Sequence, residues 1–182
     1  MKRLLLGVVA LALAFTAGVA SAQTTPSPGT WGLGFHHVDA PIGIRWWLND
    51  KVALDAGIGV GSDEAPAVDE NLSHWALDLG VPILLRSFDR LNFLVRPGIM
   101  FQSQEVVVDP GPPVDTDNDT FMSVGVELEA EVFLTDRFSV SASHGFAFVN
   151  ADPAVGSSTT DWGTTGANFT NIGFHVYLSE RR

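Results

Sequence analysis

Cysteine is missing from all 182 residues. That excludes a disulfide-stapled scaffold, a cysteine-ligated metal centre and a lipoprotein anchored through an N-terminal Cys. Lysine is nearly missing too, since beyond residue 22 only Lys51 remains. With 10 Lys and Arg against 21 Asp and Glu, the net charge is −11. Such a chain repels phosphate backbones, so nucleic acid is not an expected partner. After the first segment no apolar run approaches the roughly 18 residues of a spanning helix, and Val81 to Leu85 is typical of the longest. If a membrane is crossed, strands cross it. G-x-S-x-G, P-loop and dinucleotide-binding patterns are also lacking. Disorder is excluded by a hydrophobic content of 46% despite 18 Gly and 10 Pro.

What is present begins with an export signal. Lys2 and Arg3 form a basic start, Leu4 to Phe15 is apolar, and Ala20-Ser21-Ala22 is a small-residue cleavage site. Residues 1–22 are therefore expected to be a cleaved signal peptide and residues 23–182 one folded domain.

That domain carries eight segments of β-type composition, most with period-two alternation. They run from about Thr30 to His36, Pro41 to Leu48, Val52 to Gly61, Ser73 to Arg86, Asn92 to Gln104, Thr120 to Leu134, Phe138 to Val149 and Ala167 to Leu178. In the third, Val52, Leu54, Ala56, Ile58 and Val60 oppose Ala53, Asp55, Gly57 and Gly59. Connections alternate in kind. Three are tight and place an Asp beside a Lys or Arg: Leu48 to Val52, Phe88 to Leu91 and Leu134 to Phe138. The others are a short His37 to Ala40 and the longer, Gly-, Pro-, Asp-, Ser- or Thr-rich Ser62 to Leu72, Glu105 to Asp119 and Asn150 to Gly166. In an up-and-down meander every second connection lies at one end, so short turns at one rim and long loops at the other predict an all-β, eight-stranded antiparallel transmembrane barrel.

The units Ile44 to Gly57 and Val132 to Val140 resemble the strand-turn-strand units of small outer-membrane β-barrel proteins, a group that includes the membrane domain of outer membrane protein A and the opacity proteins. The resemblance covers nearly all of residues 30 to 178 and is one of pattern. The last strand, Asn171 to Leu178, also resembles the family's assembly signal, although Ser179 to Arg182 follow it. The resemblance implies residence in the outer membrane of a Gram-negative-type bacterium. It further implies lipid and lipopolysaccharide as surroundings, the barrel assembly machinery as a partner during biogenesis, and a monomer.

The polar face of the strands carries Gly32, Gly34, Gly43, Gly57, Gly59, Gly80, Gly98, Gly125, Gly173 and Ser139, Ser141 and Ser143 in place of the lysines and glutamates of a watery surface. Small residues suit a narrow lumen. Trp31, Leu33, Ile44, Trp46, Trp75, Leu77, Leu79, Phe93 and Val95 make the other face too apolar for water, with Trp and Phe near strand ends as interfacial girdles. Lumen charges are expected to be Arg45, Arg86 and Arg96 against Asp55, Asp78, Glu127, Glu129 and Glu131. With Asp50 centring the first tight turn, Arg45 falls opposite Asp55. The expected result is an ion-paired plug; a wide pore is not expected.

Three constellations are weighed for chemistry. Asp115-Thr116-Asp117-Asn118-Asp119 has the alternating carboxylates of a calcium loop, but Thr120 and Val126 stand where Gly and a bidentate Glu belong. A solvated acidic loop is the expectation, with weak shared Ca²⁺ or Mg²⁺ at the rim as the sharper alternative. His36, His37, His74, His144 and His175 read as surface or rim residues. His144, Ser141 and Ser143 invite comparison with outer-membrane lipid A deacylases, but the H-x-S arrangement is lacking because Phe146 follows His144 by two. No catalytic, cofactor or metal residue is therefore assigned. The expected role is structural or surface-interacting and non-catalytic, with a narrow channel or ligand-binding barrel as the alternative and a lipid A-modifying hydrolase last.

Overall fold

A computed structural model describes residues 27–65, 69–111, 113–164 and 170–178. The expected signal peptide lies outside them. The described residues form β1 (Trp31–Phe35), β2 (Ile42–Trp47), β3 (Ala53–Ala65), β4 (Glu70–Gly80), β5 (Ile83–Phe88), β6 (Leu91–Asp109), β7 (Asp115–Phe133), β8 (Phe138–Asp152), β9 (Thr159–Gly163) and β10 (Thr170–Tyr177). All neighbours pair antiparallel, and β10 bonds both β8 and β1, which closes the sheet. β4 and β5 lie along the same side of β6, and β9 and β10 along the same side of β8. Each couple is one barrel strand in two pieces, so the barrel is eight-stranded and up-and-down.

The break between β4 and β5 has a local cause. Pro82 has no N–H to give the ladder. Its carbonyl accepts from Ala53 N at 2.8 Å, and Val81 N donates to Pro97 O at 2.9 Å, so the wall stays bonded across the break.

Two of the three tight turns share one design. Leu48 N donates to Val52 O and Leu134 N to Phe138 O, each at 2.9 Å. Inside the turns, Asn49 Oδ1 accepts from the amides of Lys51 and Val52, and Thr135 Oγ1 from those of Arg137 and Phe138. These side chains satisfy amides that the ladder leaves over. The middle turn is shorter, with Phe88 directly opposite Leu91 and Asp89 at φ 46°.

The opposite rim corrects the expected loops. β3 and β4 pair as far as Ala65 and Glu70, and β6 and β7 as far as Asp109 and Asp115. Most of 62–72 and 105–119 is thus strand. Val106 and Val107 supply β-branched residues that favour extension. The stretch 150–166 likewise contains a short hairpin, with Ala151 opposite Thr159. β1 and β2 are short, and residues 36–40 form bends and turns between them. The wall is therefore low at β1–β2 and tall at β6–β7.

Exposure alternates down the strands. Leu54, Ala56, Ile58 and Val60 of β3 are exposed while Ala53, Asp55, Gly57 and Gly59 are buried. On β10, Ile172, Phe174 and Val176 are exposed against buried Asn171, Gly173, His175 and Tyr177. The buried set is the polar one. Along these strands the charged and small residues face inward and the larger apolar ones outward.

Candidate functional site in the barrel lumen

At the tight-turn end the lumen has an apolar floor. Trp47, Ala53, Leu84, Leu94, Phe133 and Tyr177 form one buried cluster, with Trp47 and Tyr177 fully enclosed. Sequence reasoning placed the aromatics outside and missed this floor. The signal was there: Trp47 is in phase with Arg45, Phe133 with Glu131, and Tyr177 with His175.

Two residues further along the same strands stands an ionic tier. Arg45 lies opposite Asp55, as the turn register required. Its Nε and Nη2 donate to the two Asp55 oxygens at 2.7 and 2.8 Å, a bidentate fork. Nη2 also donates to Glu129 at 3.0 Å, and Nη1 lies 3.6 Å from Glu131. Arg96 joins Asp55 at 3.1 Å to Asp78 at 2.7 Å. Glu131 accepts from Ser139 and the Tyr177 hydroxyl, each at 2.7 Å, which ties the tier to the floor. Asp55, Asp78, Glu129 and Glu131 are all buried with the two guanidiniums.

Gly80 makes room for this tier. A Cβ there would run into the Arg96 guanidinium.

Arg86 is a correction. It is exposed, and its guanidinium lies 4.8 Å from the Phe88 ring centroid. A register shift between Leu84 and Arg86 adds a residue to β5, and that bulge turns Arg86 out of the lumen.

Above the ions the chain between β1 and β2 turns inward. His36 and His37 are buried there, and His175 is buried on β10, which overturns their expected rim positions; His74 is half-buried and His144 exposed. The sequence reading ends the first strand at His36 and begins the connection at His37, whereas the strand stops at Phe35, so His36 also belongs to the irregular connection. His36 Nε2 lies 2.6 Å from Glu127 Oε2, which also accepts from Ser143 Oγ at 2.6 Å. Asn171 donates to the other Glu127 oxygen at 3.0 Å. A chamber of about 30 Å³ lies beside this group, bordered by His37, Asp78, Arg96 and Glu127. It is large enough for water and little more.

The Ser/His/Glu set weighed from sequence does not assemble around His144. Ser141 and Ser143 face inward, and His144 faces outward to Thr170 Oγ1 at 2.8 Å. Ser143 instead meets His36 and Glu127, where its proton goes to the carboxylate; the ring nitrogen is 3.4 Å away. The calcium-loop candidate is also dispersed. Asp115, Asp117 and Asp119 lie on extended β7, where Asp117 accepts from the Asn118 amide and Asp119 from the Ala154 amide.

No protein-family model matches the chain, and no curated protein matches it significantly. The class defined by the fold is therefore a closed eight-stranded barrel with a filled, charged lumen.

Proposed function

We propose that this chain is an outer-membrane β-barrel protein of a Gram-negative-type bacterium with a structural or surface-interacting role and no catalytic activity. The observation that carries the reading is the reversal of faces. Leu33, Trp46, Ile58, Leu128, Phe148 and Ile172 stand exposed on the outside while Arg45, Arg96, Glu129 and Glu131 are buried within. Water outside would leave that apolar belt uncovered, and lipid covers it. Aromatics mark two levels of the outer wall. Trp31 and Trp46 sit opposite one another near the tight-turn rim, and Phe146, Phe148 and Trp162 pack together higher up. The partners that follow are lipid, lipopolysaccharide and the barrel assembly machinery, with the tight turns on the periplasmic side.

The role follows from the filled interior. Among the described residues an apolar floor and an ionic tier stand in series across the lumen, which supports a wall-like scaffold presenting the tall β6–β7 hairpin, not a conduit. Cell fractionation with gel mobility before and after heating tests the placement. Outer-membrane recovery and a heat-modifiable band are expected; a soluble periplasmic protein without detergent would overturn it.

A further inference from the structure

Among the described residues the lumen holds two guanidiniums, Arg45 and Arg96, against five carboxylates, Asp55, Asp78, Glu127, Glu129 and Glu131. An excess of buried negative charge needs a counter-charge. One place for it stands out. Glu127 is a carboxylate that only accepts, so the 2.6 Å contact from His36 Nε2 fixes the ring proton on that nitrogen. In the neutral ring, the form in which imidazole binds a metal, His36 Nδ1 is then a lone pair. It is buried, has no hydrogen-bond partner among the described residues, and faces Glu129 Oε2 at 3.8 Å. Two acceptors facing one another across a buried gap are unfavourable. The separation is too long for a direct hydrogen bond in either protonation state.

A metal ion would bridge it. Bonds of roughly 2.0–2.2 Å to N and O place neighbouring ligand atoms roughly 3–4 Å apart. His36, Asp55 and Glu129 each offer a ligand atom within 4.8 Å of the others. The outer contacts fit as well. A metal-bound imidazole ordinarily gives its other N–H to a carboxylate, and here Glu127 takes that proton while Ser143 and Asn171 hold Glu127 in place. We propose that the lumen binds one divalent transition ion of the zinc class through His36 Nδ1, Asp55 and Glu129. One imidazole with two carboxylates suits Zn²⁺, Mn²⁺ or Fe²⁺ better than Ca²⁺, which prefers oxygen alone, or Cu(I), which prefers sulfur. Arg45 shares both carboxylates, so the ion and the guanidinium together neutralise the tier.

The test uses the signal-free chain folded in detergent, stripped with chelator, exposed to ZnCl₂ and desalted. About one Zn²⁺ per chain is expected to be retained, with a rise in unfolding temperature. His36→Gln and Glu129→Gln should abolish retention, and Glu127→Gln should weaken it roughly 10–100-fold. A His74→Gln/His144→Gln double variant, which removes the two histidines that are not fully buried, should match wild type. No retained zinc in wild type, or retention unchanged by His36→Gln, would overturn the site. If the lumen variants do not fold, zinc-edge X-ray absorption of the double variant decides. A nitrogen and oxygen shell with a single imidazole supports the site, and a shell without imidazole overturns it.

Discussion

Arg45 and Asp55 face one another, but their surroundings differ. Arg45 also serves Glu129 and Glu131, so Arg45→Ala leaves three carboxylates short of a cation in an already anionic lumen. The expected cost is about 3–5 kcal/mol, the usual penalty for breaking a buried pair. Asp55→Ala removes negative charge, and Arg96 still holds Asp78 while Arg45 still holds Glu129. It should cost clearly less than Arg45→Ala, and urea unfolding of the detergent-folded barrel would order the two. Equal costs would mean that net lumen charge does not matter. Gly80→Ala is expected to displace Arg96 and weaken its contact with Asp78. The opposition of Arg45 and Asp55 was legible because a tight turn fixes register over the next few pairs. The exposure of Arg86 was not, because one added residue in a strand exchanges its faces and no composition signal marked the bulge.

Among the elements, the turns were the most readable and the far hairpins the least. Asn49 and Thr135 act alike as side-chain acceptors, each for two turn amides. These turn amides are exposed and water can replace the lost acceptor, so Asn49→Ala and Thr135→Ala should each cost about 0.5–1.5 kcal/mol, the net worth of such a hydrogen bond, while Asp50→Ala should be nearly neutral. Thermal or urea unfolding of the three variants checks the ranking. The long β6–β7 hairpin was hidden by its own sequence, since Asp, Pro and Gly around its tip read as loop while cross-strand pairing carried the ladder to Asp109 and Asp115. Near that tip, above the apolar belt, Glu105 accepts from the Ser73 amide and hydroxyl and from Thr116. The Ser73 amide and then the two hydroxyls hold its carboxyl below the ordinary carboxylate range. A lowered carboxyl stabilises the fold above its unfolded value, and that support is lost as pH falls through the lowered one. The Glu105 carboxyl signal followed by NMR should titrate below that of an unperturbed glutamate, and Ser73→Pro should move it upward.

Across the whole molecule, the tiers of the lumen decide between wall and conduit. The inside-out plan was legible from period-two alternation combined with a near absence of lysine, because a polar face of Gly and Ser is a poor water surface but a good lining. Most of the site was legible in the same way; Arg45, Arg96, Asp55, Asp78, Glu127, Glu129 and Glu131 could be placed inside by counting residues from the turns. His36 was not, because it enters from an irregular connection that has no phase. The floor gives the last prediction. Trp47 is fully enclosed, so Trp47→Ala removes a large contact surface and should cost about 3–5 kcal/mol. Its indole N–H has no acceptor among the described residues, so Trp47→Phe trades lost volume for relief of an unpaired donor and should cost much less. Neither change touches the ionic tier that follows in series, with Arg45, Arg96 and their carboxylates still spanning the lumen. Planar-bilayer recordings should therefore show no unitary conductance for wild type, Trp47→Phe or Trp47→Ala. Discrete current steps in wild type would refute the closed lumen. Steps confined to Trp47→Ala would place the barrier in the aromatic floor alone, and the ions above it would then be a lining, not a plug.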